Sequence, residues 1–168
     1  LVQGYLKEAG RHPAVEYTGS ESAWKAICER DDIDIVYISP PWMTHVEMAV
    51  YAMEHGKHVA VEMPAAMTID ELWQLVDTSE RTRRHCMMLE NCVYDHFEMT
   101  TLNMAQQGLF GEIVHVEGGY IHALDKFWSR FNNNWRLKFN QEHDGDVYAT
   151  HGLGPICFVL GIHRGDRM

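Results

Sequence analysis

The chain has 168 residues, 46% of them hydrophobic and 23% charged, a balance that suits one ordinary domain or parts of two and excludes a disordered chain. A formal net charge of −10 with no block of Lys and Arg removes the surface that a nucleic-acid partner needs. No apolar run is long enough to span a bilayer, and the four cysteines form no CxxC pair and read as buried free thiols.

Leu1 opens without an initiator Met, so the chain reads as an internal part of a longer protein. Residues 1–12 read as the end of a helix. Ser20 to Arg30 reads as another, with Ser20 as N-cap and Trp24, Ile27 and Cys28 on one face. Ile33 to Ile38 is a strand of mostly β-branched and aromatic residues. After Pro40-Pro41-Trp42, a helix runs from about His45 to His55, and Gly56 ends it. Lys57 to Val61 is the next strand, ending in Glu62-Met63-Pro64. Thr68 caps a helix to about Arg83, with Glu71 completing a capping box. Cys86 to Leu89 is a third strand, ending in Glu90-Asn91.

Strand, helix, strand, helix, strand within about 60 residues means βαβ units and a parallel sheet. The strands do not alternate cleanly, which predicts cover on both faces of the sheet. The fold class is α/β: the second half of a Rossmann-type doubly wound sheet, followed by the start of an α+β domain. The boundary is expected near Asn91–Asp95, giving 1–92 and 93–168. In the second part a helix is predicted over Tyr94–Gln107 and a long strand over Gly111–Ala123. Residues 124–147 form a polar, aromatic-rich stretch, and a short helix is expected from Gly152 to Leu160.

Ligands of parallel α/β sheets bind outside the carboxyl ends of the strands. Three such ends, Ser39 to Trp42, Glu62 to Pro64 and Glu90-Asn91, should lie side by side, with Trp42 and His45 adding an aromatic plane and a ring nitrogen. The chain has no GxGxxG turn, so spacing alone makes a weak case for a dinucleotide.

The string from Ile33 to Thr68 resembles the nucleotide domain of the glucose–fructose oxidoreductase / inositol dehydrogenase (Gfo/Idh/MocA) superfamily. Gly56-Lys57-His58-Val59, Glu62 and Pro64 keep its pattern, while Met63 replaces its lysine. EMPAAMT, LNMAQQGLFGEIVHVEGGYIH, NWRLKFNQ, YATHGLGP and GIHRGDRM are similar to the NAD-dependent α-N-acetylgalactosaminidases, glycoside hydrolase family 109. The resemblance implies a tightly held NAD, transient oxidation of the sugar at C3, loss of the C2 proton, elimination of the glycosidic oxygen, addition of water and return of the hydride. This differs from hydrolysis by a carboxylate pair, so Glu62 and Glu90 are not assigned as one.

The same resemblance implies cofactor contacts at Trp42, Met43, Thr44, His45, Glu62, Met63, Asn91 and Tyr148. It implies sugar contacts at Tyr120, Arg136, Tyr148, Ala149, Thr150 and His151. His151 and Tyr148 are the expected acid–base pair, since a histidine exchanges protons near neutral pH. His122, two residues from Tyr120, should approach the site. The remaining histidines lack metal spacing, so no metal is expected. The expected partner is a small sugar or glycan terminus, with no nucleic acid and no membrane; homo-oligomerisation is an analogy with the superfamily. The family also suggests an exported, periplasmic or secreted bacterial protein, with the cytoplasm left open. Two other readings stand beside the glycosidase: a sugar or cyclitol dehydrogenase, and a non-enzymatic sugar- or NAD-binding relative. Residues 1–168 in isolation are expected to be inactive.

Overall fold

The computed structural model describes residues 2–123, 135–162 and 164–165. Part of the polar, aromatic-rich stretch, residues 124–134, and the last residues of the chain lie outside these. No described helix is long and apolar enough to cross a membrane.

The first helix, α1, spans Val2–Glu8 and buries none of its residues. The second, α2, is only Lys25–Cys28. The longer helix expected from Ser20 does not form. Residues 20–24 instead make three-residue turns, with Ala23 N–H bonded to Ser20 O (3.2 Å) and Lys25 N–H to Ser22 O (3.0 Å). Cys28 is nonetheless buried, and Trp24 packs edge-on against Tyr51 at 5.2 Å.

Three parallel strands follow: β1 (Ile35–Ile38), β2 (His58–Glu62) and β3 (Cys86–Leu89), in the order β1-β2-β3. Parallel neighbours need crossovers, and two helices supply them: α3 (His45–Glu54) and α4 (Ile69–Thr82). A 3₁₀ turn, Trp42–Thr44, leads into α3. Gly56, at φ 79°, turns the chain from α3 into β2, a conformation that favours glycine. The Thr68–Glu71 capping box is present as the sequence requires: the Thr68 side chain accepts from Glu71 N–H, and the Glu71 carboxylate accepts from Thr68 N–H.

The core lies between the sheet and these helices. It comprises Cys28, Ile38, Val46, Ala49, Ala52, Met53, Val59, Val61 and Leu75. The other sheet face corrects the expectation of cover on both sides. Ile35, Tyr37 and Met87 are exposed there, at 60%, 58% and 55%. Both α3 and α4 pack on the same side, so among the described residues the sheet is buried on one face only.

Past β3, a 3₁₀ turn (Cys92–Tyr94) precedes α5 (His96–Gln106), whose N-terminus is capped by the Asp95 side chain accepting from His96 N–H at 2.6 Å. The strand expected over 111–123 is not formed. The segment has no strand partner among the described residues, and without a ladder its backbone groups have nothing regular to pair with. Helix α6, Trp135–Glu142, lies within the polar, aromatic-rich stretch, for which the sequence pattern assigns no element. Helix α7 spans Ala149–Leu160 and starts three residues earlier than expected, which puts His151 in its first turn.

Candidate active site at the strand ends

The parallel order of the sheet brings the three strand ends together at one edge. A cavity of about 290 Å³ opens there, lined by Ser39, Pro40, Trp42, His45, Glu62, Met63, Asn91, Arg136, Tyr148 and His151. Residues from three strand exits and from α6 and α7 therefore meet in one place. A neighbouring cavity of about 350 Å³ shares Met63 and adds Ala149 and Thr150.

Trp42 is the hub of the aromatic side. It is buried, and Trp135, Phe139 and Tyr148 all approach it edge-on at 4.9–5.2 Å. The Arg136 guanidinium lies 5.4 Å from the Trp42 ring, 4.9 Å from Trp135 and 5.8 Å from Tyr148. Such cation–π contacts hold a partly desolvated cation at the cavity wall. Burial lowers the pKa of Arg136 from its ordinary value.

Tyr120, Tyr148 and His151 form a second cluster. Tyr120 lies 4.5 Å from the His151 ring and 5.3 Å from Tyr148, and Tyr148 stacks on His151 at 5.5 Å with 16° between the planes. His122 joins through Tyr120, at 4.4 Å. Glycines make this possible. A Cβ on Gly152 would lie 3.0 Å from the Gly118 oxygen and from Gly119 backbone atoms, so only hydrogen fits where the 118–119 segment crosses α7. On α7 also, a Cβ on Gly154 would meet Val93 Cγ2 at 2.4 Å. The helix is thus seated closely on the turn that follows β3.

His45 differs from its expected part. It is completely buried, and its Nδ1 and Nε2 lie 2.8 Å and 3.0 Å from the carbonyl oxygens of Pro64 and Pro40. Both ring nitrogens are committed to backbone, so His45 clamps the exits of β1 and β2 and has none left for a ligand. Met43 points outward, 54% exposed, and Thr44 Oγ1 donates to Pro41 O at 2.8 Å. Neither lines the cavity. Asn91 makes no side-chain cap bond to the turn it precedes, so its amide is not spent on capping. Glu62 accepts from the Tyr37 hydroxyl, which raises the Tyr37 pKa.

Sequence reasoning missed Glu90 as a partner. Its carboxylate is buried, and Oε1 is hydrogen-bonded to His151 Nδ1 while also accepting from Cys92 N–H at 3.2 Å. Its place directly after an apolar strand, in a topology that aims strand ends at ligands, was the available signal. Glu90, Cys92 and His151 bring ligand-type atoms within 4.8 Å of one another. The hydrogen bond between Glu90 and His151 accounts for that grouping. The Cys92 thiol, its pKa raised by burial and then by nearby carboxylates, is a poor thiolate donor.

The residues present fit the nicotinamide half of a dinucleotide. Buried Trp42 and Met63 supply an apolar wall, and the exposed amide of Asn91 supplies polar atoms at its rim. Two buried polar atoms beside the cleft, Glu90 Oε2 and Thr150 Oγ1, have no partner among the described residues. Such atoms are expected where a polar ligand completes the hydrogen bonding.

Residues 7–90 match the oxidoreductase family with an NAD-binding Rossmann fold, and residues 94–168 match the C-terminal domain of glycosyl hydrolase 109. The chain is 66% identical over 167 residues to glycosyl hydrolase family 109 protein 1 of Bacteroides thetaiotaomicron, covering 99% of this chain and 36% of that protein. It is 61% identical over 173 residues to an alpha-N-acetylgalactosaminidase of Bacteroides fragilis, covering 99% of this chain and 40% of that one. It thus spans little more than a third of the length of these curated relatives. Among solved structures, myo-inositol 2-dehydrogenase from Lactobacillus plantarum shares the fold over 82% of this chain and 40% of its own, with a TM-score of 0.68 at 22% identity.

Proposed function

The chain belongs to the Gfo/Idh/MocA family of oxidoreductases with an NAD-binding Rossmann fold, and from that premise we propose that the whole protein is a glycosidase that removes terminal α-N-acetylgalactosamine. The proposed route is an oxidation–elimination–addition–reduction cycle. The observation that supports it is the meeting, in one cavity, of the strand-end residues Trp42, Met63 and Asn91 with Arg136, Tyr148 and His151. Similarity to the B. fragilis alpha-N-acetylgalactosaminidase supplies the substrate class.

When bound, NAD supplies a hydride acceptor and, once reduced, a hydride donor at a sugar carbon. Trp42 and Met63 would hold its nicotinamide, with Asn91 and Glu62 at the polar rim. The chain's own residues handle the protons. His151 removes the proton at C2 of the sugar, and the electron pair it leaves expels the glycosidic oxygen from C1. Tyr148, stacked on His151, is placed to exchange protons with the reacting hydroxyl and the departing oxygen. Water then adds its hydroxyl to C1 and its proton to C2. Arg136 and Tyr120 orient the ring, Arg136 through several donors toward hydroxyl or acetamide oxygens. Met63 cannot transfer a proton, which leaves this duty to the Tyr148–His151 turn.

The test is p-nitrophenyl α-N-acetylgalactosaminide given to the full-length protein with and without NAD, while absorbance at 340 nm is followed. The proposal expects nitrophenol release with no net NADH. NADH accumulation without release would overturn it in favour of a sugar or cyclitol dehydrogenase.

A further inference from the structure

We propose that Glu90 is the positioning residue for His151: it fixes the imidazole as the tautomer with hydrogen on Nδ1 and leaves the Nε2 lone pair for the substrate. This rests on the reading of His151 as the proton-transfer group.

The carboxylate and the ring come from distant parts of the chain, 61 residues apart. Glu90 stands at the end of β3 and His151 in the first turn of α7, and each side chain is only 6% exposed. Glu90 Oε1 receives two donors at once, Cys92 N–H from the following turn and the His151 ring. The backbone donor fixes the oxygen, and the oxygen in turn fixes the ring. An ionised carboxylate only accepts, so the nitrogen that faces it must carry the hydrogen. Nε2 is then the ring's one basic atom. Stacking by Tyr148 and contact with Tyr120 hold the ring plane, but neither selects a tautomer. Glu90 does. The ionisable groups around the pair are Cys92, Tyr120 and Tyr148, with Glu98 and Glu117 in one adjoining cavity and His45, Glu62 and Arg136 in the other, and the side chain bonded to the His151 ring is Glu90. The same bond ties the sheet edge to the helix that Tyr148 precedes as its N-cap, so the proton-transfer group keeps its register with the strand ends.

The experiment uses the full-length protein with ¹⁵N-labelled histidine, the His151 signals being identified by their loss in His151→Gln. Wild-type protein is expected to show the Nδ1–H tautomer. Glu90→Gln should keep it, because Cys92 N–H holds the amide oxygen in the place of Oε1. Glu90→Met, which has no acceptor, should lose it and lower kcat by about 100-fold, the scale of a misplaced general base, with KM within about threefold. An Nε2–H tautomer in wild-type protein overturns the proposal without any variant. So does a folded Glu90→Met protein that keeps both the Nδ1–H tautomer and its kcat. The two readings fail separately: the Nδ1–H tautomer without nitrophenol release sinks the glycosidase and keeps the positioning, and release with Nε2–H does the reverse.

Discussion

Gly118 and Gly152 touch backbone to backbone: a Cβ on Gly118 would lie 2.9 Å from the Gly152 carbonyl oxygen. This crossing sets Tyr120, two residues on from Gly118, against His151, one residue before Gly152. Gly152→Ala must push backbone apart, because its Cβ meets three backbone atoms and no flexible side chain. Overpacking of this kind costs about 1–3 kcal/mol. The expected result is a lower denaturation midpoint together with a fall in kcat larger than that caused by an Ala substitution at Gly4, where a Cβ meets nothing within 4 Å. Equal effects at both positions would show that the crossing does not position the site.

His45→Ala removes a completely buried ring together with its N–H donor, so one of the carbonyls of Pro40 and Pro64 loses its hydrogen bond. Each buried polar group left unpaired costs about 1–3 kcal/mol, in addition to the cavity. Chemical denaturation should therefore report a loss of about 3 kcal/mol or more. Since neither nitrogen is free for a ligand, His45→Gln, which can restore one bond, should recover stability and activity together.

Met63 is 6% exposed and shared by both cavities. Met63→Leu keeps volume and polarity, so nitrophenol release should stay within a few-fold of wild type. Met63→Lys puts a flexible amine at the strand end. It should destabilise by about 1–3 kcal/mol, the cost of burying an unpaired polar group, and should slow nitrophenol release. Faster release from the lysine variant would contradict the assignment of proton transfer to Tyr148 and His151.

Thr68→Ala tests the fold apart from the chemistry. The capping box lies on the helix side of β2, so the loss should be about 1 kcal/mol with KM unchanged.

Burial raises the thiol pKa of both Cys28 and Cys86. A raised pKa keeps a thiol protonated at neutral pH, and only the thiolate is the nucleophile. Both should resist alkylation at pH 7 in native protein, with labelling rising as pH increases and in denaturant. Rapid native labelling of Cys28 would contradict its burial.

The strand ends were legible because hydrophobic runs, glycine stops and the Thr68 box are local signals. Trp42, Met63 and Asn91 stand at the three strand ends that the parallel topology aligns, while Arg136, Tyr148 and His151 were named from the family resemblance and reach the same cavity from α6 and the start of α7. What stayed hidden depended on distance in sequence. Nothing near Glu90 announces a histidine 61 residues away, and nothing near His45 announces that the carbonyls of Pro40 and Pro64 will claim its nitrogens. Alternation in 111–123 suggested a strand, but a strand also needs a neighbour, which a single-sequence pattern does not display. The turns at 20–24 show the same limit: a good N-cap residue does not make a helix when three-residue hydrogen bonds take its place.

The bare sheet face has a practical consequence. Ile35, Tyr37 and Met87 stand on a parallel sheet, a structure that normally has cover on both sides, and β1 has no hydrogen-bonding neighbour on its outer edge among the described residues. A preparation of these 168 residues alone would therefore be adhesive. Light scattering should rise with concentration, and a charged substitution at Tyr37 or Met87 should improve yield where changes on the α4 surface do not. Recombinant work on this segment calls for a solubilising fusion before any assay is read as silent.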